Sequence, residues 1–445
     1  MSLPILLLAG CITPDQHYQQ ARQLMSQELT SSQRFELINH LQQAAEAGNV
    51  QACYELAYVL LEDSDDAVAR QGYPLWLNKA AELGMAQAQF DLGVYELRQN
   101  YNAKAGLAWL EKAAQTGDPR WQLQLSRYYC CSDYVPEPDQ EKSFYWALQA
   151  AQAGLQEAQC HVGYCYRVGL GVPHDDRQSF FWMEKAAQAG YAISQNNLAI
   201  CYEYGLGVKE DFAKAIYWYE QAIKNDFIDA CINLAVLYIY SAPKPFHDSA
   251  KGFTLLQQAV TRGHARAMSV MGECYQFGVG VKRDMKQALY WQTMAHEKGY
   301  HIASYYLGRM HLEGVGTPKN VNLAFQLFMA AAEEETWGGA ACALGDIYFN
   351  GILPGSGQDY ERALICYTQA ARQNNQRAMY QLGLIYEKGL GVSKNPHTAL
   401  GWYEKVLSLT PEELRPSYTE QSLSKYDPVA STVAACQQAV RRLSK

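Results

Sequence analysis

Ala186-Ala187-Gln188-Ala189-Gly190 begins the stretch whose reading decides the fold. Ser194, Leu198 and Tyr202 follow at four-residue steps, so they lie along one face of a helix. Gly205-Leu206-Gly207-Val208 then breaks the pattern, because a glycine just past a helix end takes the left-handed conformation that other residues resist. Asp211 offers an N-cap, and Ala215, Trp218 and Ala222 resume a helical face. Residues 186–226 therefore read as helix A, a glycine turn, helix B and the start of the next copy.

The opening patch returns along most of the chain. Its last position falls at Gly48, Gly84, Gly117, Gly154 and Gly190, and in weaker copies at Asp226, Gly263, Gly299, Thr336 and Asn374, at intervals of 33 to 38 residues. A period of that size is the signature of a solenoid. The helix A slots recur as Ala158, Val162 and Tyr166, as Ala267, Met271 and Tyr275, and as Ala378, Leu382 and Tyr386. The glycine turn recurs at Gly169, Gly278 and Gly389, with a variant at Gly314-Val315-Gly316, and Asp175, Asp284 and Asn395 match the cap. Trp76, Trp109, Trp146, Trp182, Trp291 and Trp402 share the Trp218 slot, which marks the indole as a core wedge rather than a ligand platform. Neither helix buries its apolar face alone; stacking the copies completes the core.

Composition narrows the function. Hydrophobic residues make up 49% of the 445, which excludes a disordered chain, and the net charge is −8 without a basic cluster. Nucleic acid is thereby excluded as an expected partner, since phosphate binding needs a clustered basic face. The paired glycines do not cradle phosphate: no strand precedes them and no Gly-Lys-Ser/Thr follows.

In order, Ala-x3-Leu-Gly-x2-Tyr, Gly-x-Gly-Val, x2-Asp, Ala-x2-Trp and Ala-Ala-x2-Gly resemble the Sel1-like repeat, a relative of the tetratricopeptide repeat. The resemblance covers residues 36–410, about ten and a half units. It implies an all-α fold, a right-handed α/α superhelix with a concave face lined largely by helix A, and an adaptor that organises other proteins. Three turns depart from the pattern, at 130–138, 241–248 and 350–357. Two readings of them stay open: binding features, or drifted turns. Residues 12–35 are expected to form a capping helix, and 411–445 a closing region with a helix from Pro428 to Ser444.

Leu8-Ala9-Gly10-Cys11 resembles the bacterial lipobox, whose cysteine is lipidated at the mature N-terminus. Residues 1–11 are thus expected to be a truncated signal, and Ile12 resembles a signal for sorting to the outer membrane, with the body in the periplasm. The alternative is a short apolar N-terminus with a chance cysteine. Of the other cysteines, Cys165, Cys201 and Cys274 precede the Tyr slot and Cys366 takes the Trp slot, so they read as small buried apolar residues. Cys130-Cys131 is the candidate for redox chemistry, with the same structural role as its alternative. His161 lies near Cys160 and Cys165 but on one helix these diverge, so no metal and no cofactor is expected.

The expected site is a surface rather than a pocket. Transferring the concave positions implied by the resemblance gives one residue per unit: Tyr58, Val94, Arg127, Tyr164, Ile200, Val236, Glu273, Arg309, Asp346 and Leu384. Val94, Ile200 and Val236 are expected to pack against the neighbouring helix. Tyr164, Glu273 and Arg309, which are costly to bury alone, lead the partner-binding set, joined by Arg167, Glu203 and Tyr204. The implied function is a non-enzymatic scaffold holding other proteins, with no small-molecule substrate evident. It would be a lipoprotein tethered through Cys11, assisting an envelope complex such as alginate-like exopolysaccharide secretion. A secreted or host-facing adaptor and a regulator of a cell-wall enzyme are the alternatives.

Overall fold

A computed structural model describes residues 13–62, 67–99, 101–130, 133–334, 338–409 and 429–443. Among these residues all regular structure is helical. The chain divides into two compact units, Met1–Asp211 and Phe212–Lys445.

In the first unit Pro14–Met25 packs on Ser31–Glu46, and helix pairs follow: Val50–Glu62 with Ala67–Glu82, Ala86–Arg98 with Ala103–Ala114, Pro119–Cys130 with Gln140–Gln152, and Gln156–Val168 with Asp176–Gln188. Ala192–Tyr204 ends it. The second unit opens with Phe212–Lys224. Ile228–Val236 then runs into a π-helical turn, Leu237–Ser241, and pairs with Ser249–Thr261. Ala265–Phe277 with Met285–Glu297, His301–Glu313 with Val321–Glu334, Gly339–Asn350 with Tyr360–Arg372, and Gln376–Lys388 with Pro396–Ser408 continue the series, and Val429–Leu443 packs on the last pair. This is the all-α helix-turn-helix solenoid that the period predicts.

The two glycines of each turn have different jobs. Gly205 ends helix A at φ +68°, in the left-handed region. Gly207 makes a close approach: a Cβ there would lie 2.0 Å from the Asp176 carbonyl oxygen at the start of the preceding helix B. Gly171 and Gly280 press the same way on Gln140 and Ser249. The turn is thus a contact between successive repeats as well as a bend.

One hydrogen bond recurs across the far end of each turn. The Asp175 amide donates to the Tyr166 carbonyl at 2.9 Å, and Asp284 to Tyr275 and Asn395 to Tyr386 do the same. The side chains of these three residues then cap helix B. The three departing turns keep the arrangement: Asp139 bonds Tyr129, Asp248 bonds Tyr238 and Asp359 bonds Tyr348, each capping its helix B. Their sequences differ from the regular turn while their anchors match it. Cys131 of the first departing turn lies outside the described residues.

The wedge is not the tryptophan. Trp182 is 7% exposed, but Trp76, Trp109, Trp146, Trp291 and Trp402 sit half-buried at the rims of the core clusters. Lysines three residues on lie over several of these rings, Lys112 at 3.7 Å from the Trp109 centroid and Lys79 at 4.9 Å from Trp76. The residue after each tryptophan slot fills the core instead: Leu77, Leu110, Ala147, Met183, Leu256, Gln292, Phe328, Tyr367 and Tyr403 are all buried. It points at the Gly of Leu-Gly-x2-Tyr. A Cβ on Gly383 would meet Tyr403 at 2.3 Å, on Gly345 Tyr367 at 2.6 Å, and on Gly308 Phe328 at 2.8 Å. Helix A surrenders its side chain there so that helix B can insert one.

A buried glutamine finishes several junctions in the first unit. The side-chain amides of Gln89, Gln159 and Gln195 donate to the carbonyls of Ala81, Ala151 and Ala187 at 3.1 to 3.2 Å. Those carbonyls lie in the last turn of a helix B, and each also accepts from the amide of the glycine that follows, Gly84, Gly154 and Gly190, at 3.0 to 3.1 Å.

Candidate interaction surface

Helix A presents one strip of residues per compact unit, and most of that strip is already engaged within the protein. In the first unit the Tyr54 and Tyr58 hydroxyls both donate to Asp91 Oδ2, at 2.8 and 2.9 Å, so helix A of one repeat grips helix A of the next. Burial and these bonds push the Tyr58 phenol well above its ordinary range. Arg127 pairs with Glu157 one repeat on. In the second unit Asp346 takes Arg377 at 2.7 Å and the Tyr367 hydroxyl at 2.8 Å, and His264 pairs with Asp229. Opposite or complementary groups one period apart are a ladder between neighbouring helices A. That signal is present in the sequence, as acids and bases separated by one repeat.

The structure sorts the expected partner-binding residues into two groups. Tyr164 is 50% exposed, and Arg167 and Tyr204 are half-exposed in the same unit. Glu203 and Glu273 do not face solvent: they are 3% and 2% exposed. A carboxylate this deep is held by the protein rather than offered to a partner. Arg309 turns back along its own helix, its Nε 3.2 Å from Glu313 Oε1. Of the three positions expected to pack, Ile200 and Val236 are buried and Val94 is half-buried against the core. Tyr58 and Leu384 are half-buried.

Of the four thiols expected to be buried, three are, and Cys366 is only partly so. Cys165, Cys201 and Cys274 are buried, and burial pushes the Cys165 and Cys201 thiols up to about 12. Cys366 is half-buried. Cys130 is exposed and donates to the Arg127 carbonyl at 3.2 Å. Cys165 Sγ lies 3.7 Å from His161 Nε2, and burial lowers the affinity of that imidazole for a proton. Among the described residues no three His, Cys, Asp or Glu side chains converge as metal ligands would. None of the described helices is long and apolar enough to cross a membrane. Cys11 and the rest of residues 1–12 lie outside the described residues.

Paired helices repeated at this period, with a ladder along one helix of each pair, define an α-helical repeat protein of the tetratricopeptide type. The chain belongs to the Sel1 repeat family: the family model matches segment after segment from residue 50 to residue 406. It is similar to chitin synthase regulatory factor 3 of Schizosaccharomyces pombe, 28% identical over 190 residues, 42% of this chain and 16% of that protein. It is also similar to the ERAD-associated E3 ubiquitin-protein ligase component HRD3 of Candida glabrata, 30% identical over 128 residues, 27% of this chain and 14% of that protein. The chain thus spans about a sixth or less of the length of these two relatives. Among solved structures it resembles a protective antigen present in uropathogenic Escherichia coli strains, with TM-score 0.54 and 24% identity over 96% of this chain and 95% of that one. That likeness establishes the fold.

Proposed function

We propose that the protein is a non-enzymatic scaffold that holds other proteins along its helix A strip. The observation that carries this reading is the strip itself: a periodic row of side chains on stacked helices, with Tyr164 left exposed between ladder contacts. A rigid, regular row matches an extended partner better than it matches a small substrate. Both relatives are named as a regulatory factor and as a component of a larger ligase, which supports a role in holding or regulating. The scaffold is tethered to the periplasmic face of the outer membrane by lipid on Cys11, and its partners belong to an envelope complex such as one that secretes exopolysaccharide. A second reading, regulation of a wall-polysaccharide synthase, is favoured by the similarity to chitin synthase regulators in two yeasts.

Affinity capture from membranes tests the strip. Wild-type protein is expected to retain partners that a Tyr164→Ala, Arg167→Ala, Tyr204→Ala variant loses while its helical content stays the same. Equal capture by both would remove this surface from consideration. Radiolabelled palmitate incorporation tests the tether: label that persists in Cys11→Ala overturns it. The identity of the retained protein, an export component or a synthase, separates the two readings.

A further inference from the structure

The helix Pro14–Met25 is attached to the first unit with little apolar contact. Ala21 is its buried residue, and Tyr18 and Leu24 lie half-buried at the edge of the core. Two polar clamps supply much of the rest. In one, the Tyr18 hydroxyl and Arg22 Nη1 donate to Glu55 Oε1 at 3.0 and 3.2 Å, beside a third bond from Gln51. In the other, His17 Nδ1 lies 2.8 Å from His40 Nδ1, with the rings 5.1 Å apart. Two Nδ1 atoms at that distance share one proton, one ring donating and the other accepting. A proton on both sets donor against donor and cation against cation.

From this contact we infer that Pro14–Met25 is a proton-released latch, docked while the histidine pair shares one proton and freed when it takes up a second. The charged groups around the pair are few. On the helix Ser31–Glu46, burial and His17 lower the affinity of His40 for a proton, and Glu36 opposes them without prevailing. Arg34 on that helix reaches across to the Val59 carbonyl at 3.5 Å. On Val50–Glu62 the charge facing the latch is Glu55, engaged by Arg22; on the latch itself Asp15 occupies the first turn. The sign follows from His40. Docked, its affinity for a proton is lowered by burial and by His17; undocked, it binds a proton as a free histidine does, near pH 6.5. Docking is therefore strongest above that pH and weakens as the pH falls below it. Release would also withdraw Tyr18 and Arg22 from Glu55, exposing a carboxylate that is now buried.

Hydrogen exchange of the full chain at pH 7.5 and 5.5, corrected for intrinsic rates, tests the latch. Protection in residues 14–25 is expected to fall several-fold, with about tenfold the ceiling for one extra proton taken up over the pH unit below 6.5. Residues 50–62 should hold their protection. In His40→Gln the side-chain carbonyl accepts from the His17 Nδ1–H whether the ring is neutral or charged, so protection should no longer depend on pH across this range. Unchanged protection in wild type, or the same fall in His40→Gln, overturns the inference. Should His40→Gln undock at both pH values, the imidazole resonances of the unaltered chain decide. Two separated titration steps support the shared proton, and one common step at the free-histidine value refutes it.

Discussion

Replacing Gly383 by alanine tests the central packing rule of the repeat. In the interior of an exposed helix that change stabilises by about 0.5–1 kcal/mol. Here the new Cβ would stand 2.3 Å from Tyr403 Cε1 and 2.7 Å from two further ring carbons, against an ordinary carbon contact of about 3.5 Å. Tyr403 is 0% exposed and cannot swing into solvent, and its hydroxyl is bound to Glu387 at 2.9 Å. Overpacking of this kind costs about 1–3 kcal/mol, which outweighs the gain in helix propensity. Gly383→Ala should therefore destabilise the last repeats by about 1–2 kcal/mol. Gly401→Ala, on the partner helix with open space around it, should stabilise by about 0.5–1 kcal/mol. The first helix pair carries the compatible combination, Ala57 with Leu77, so Gly383→Ala with Tyr403→Leu should recover part of the loss. Glu387, which loses the tyrosine hydroxyl in that double variant, also pairs with Arg442, at 2.6 Å in the unaltered chain. Urea unfolding combined with hydrogen exchange in residues 376–408 is the assay, because a repeat array need not unfold in one step. A neutral or stabilising Gly383→Ala, or a double variant no better than the sum of its parts, would refute the reasoning.

Other substitutions probe separate contacts. Gln292 is fully buried, its amide bonded to the Ser269 carbonyl at 3.0 Å and its oxygen accepting from the Ser269 hydroxyl at 2.9 Å. Gln292→Leu should cost about 1–3 kcal/mol in urea unfolding, and Ser269→Ala added to it should restore much of that. Gly207→Ala should cost about 2 kcal/mol or more, from both its φ of +68° and its clash with Asp176, whereas Gly190→Ala, with nothing within 4 Å, should cost only about 1 kcal/mol. Asn374 sits at φ +59°, so Asn374→Gly should raise stability by about 0.5 kcal/mol, seen as a higher urea midpoint. At pH 8 a thiol reagent should modify Cys130 in the folded protein. Cys165 and Cys201, pushed up to about 12 by burial, stay protonated and should react only with added denaturant.

The repeat was legible because its marks are single residue types with one physical cause. Gly205 and Asp175 announce a helix end and a helix start wherever they stand. The second glycine of the turn could not be understood the same way, since what it avoids is the Asp176 carbonyl of another repeat. The deep wedge was hidden for a different reason. Leu110, Met183, Gln292 and Tyr403 have no common chemistry; they share only a volume matched to the small residue opposite. Tryptophan drew attention by being constant in identity while doing the lesser packing. On the candidate surface, the exposure of Tyr164 agreed with its place in the repeat. Glu203 and Glu273 occupied equivalent stretches of helix A and went inside, because one helix's turn-by-turn position does not record what the neighbouring helices cover.

The bond between the capping amide and the tyrosine-slot carbonyl spans nine positions in the regular turns, Tyr166 to Asp175 and Tyr275 to Asp284. It spans ten between Tyr129 and Asp139 and eleven between Tyr348 and Asp359. One clasp therefore shuts over loops of different length and wholly different spelling. Each departing loop, which has no glycine pressed on the preceding repeat as Gly207 is, becomes a socket: its content can change while the stack on either side keeps its register. A lineage of such chains would acquire new recognition by editing sockets one at a time, and a designer would graft peptides at 130–138, 241–248 or 350–357 by the same licence.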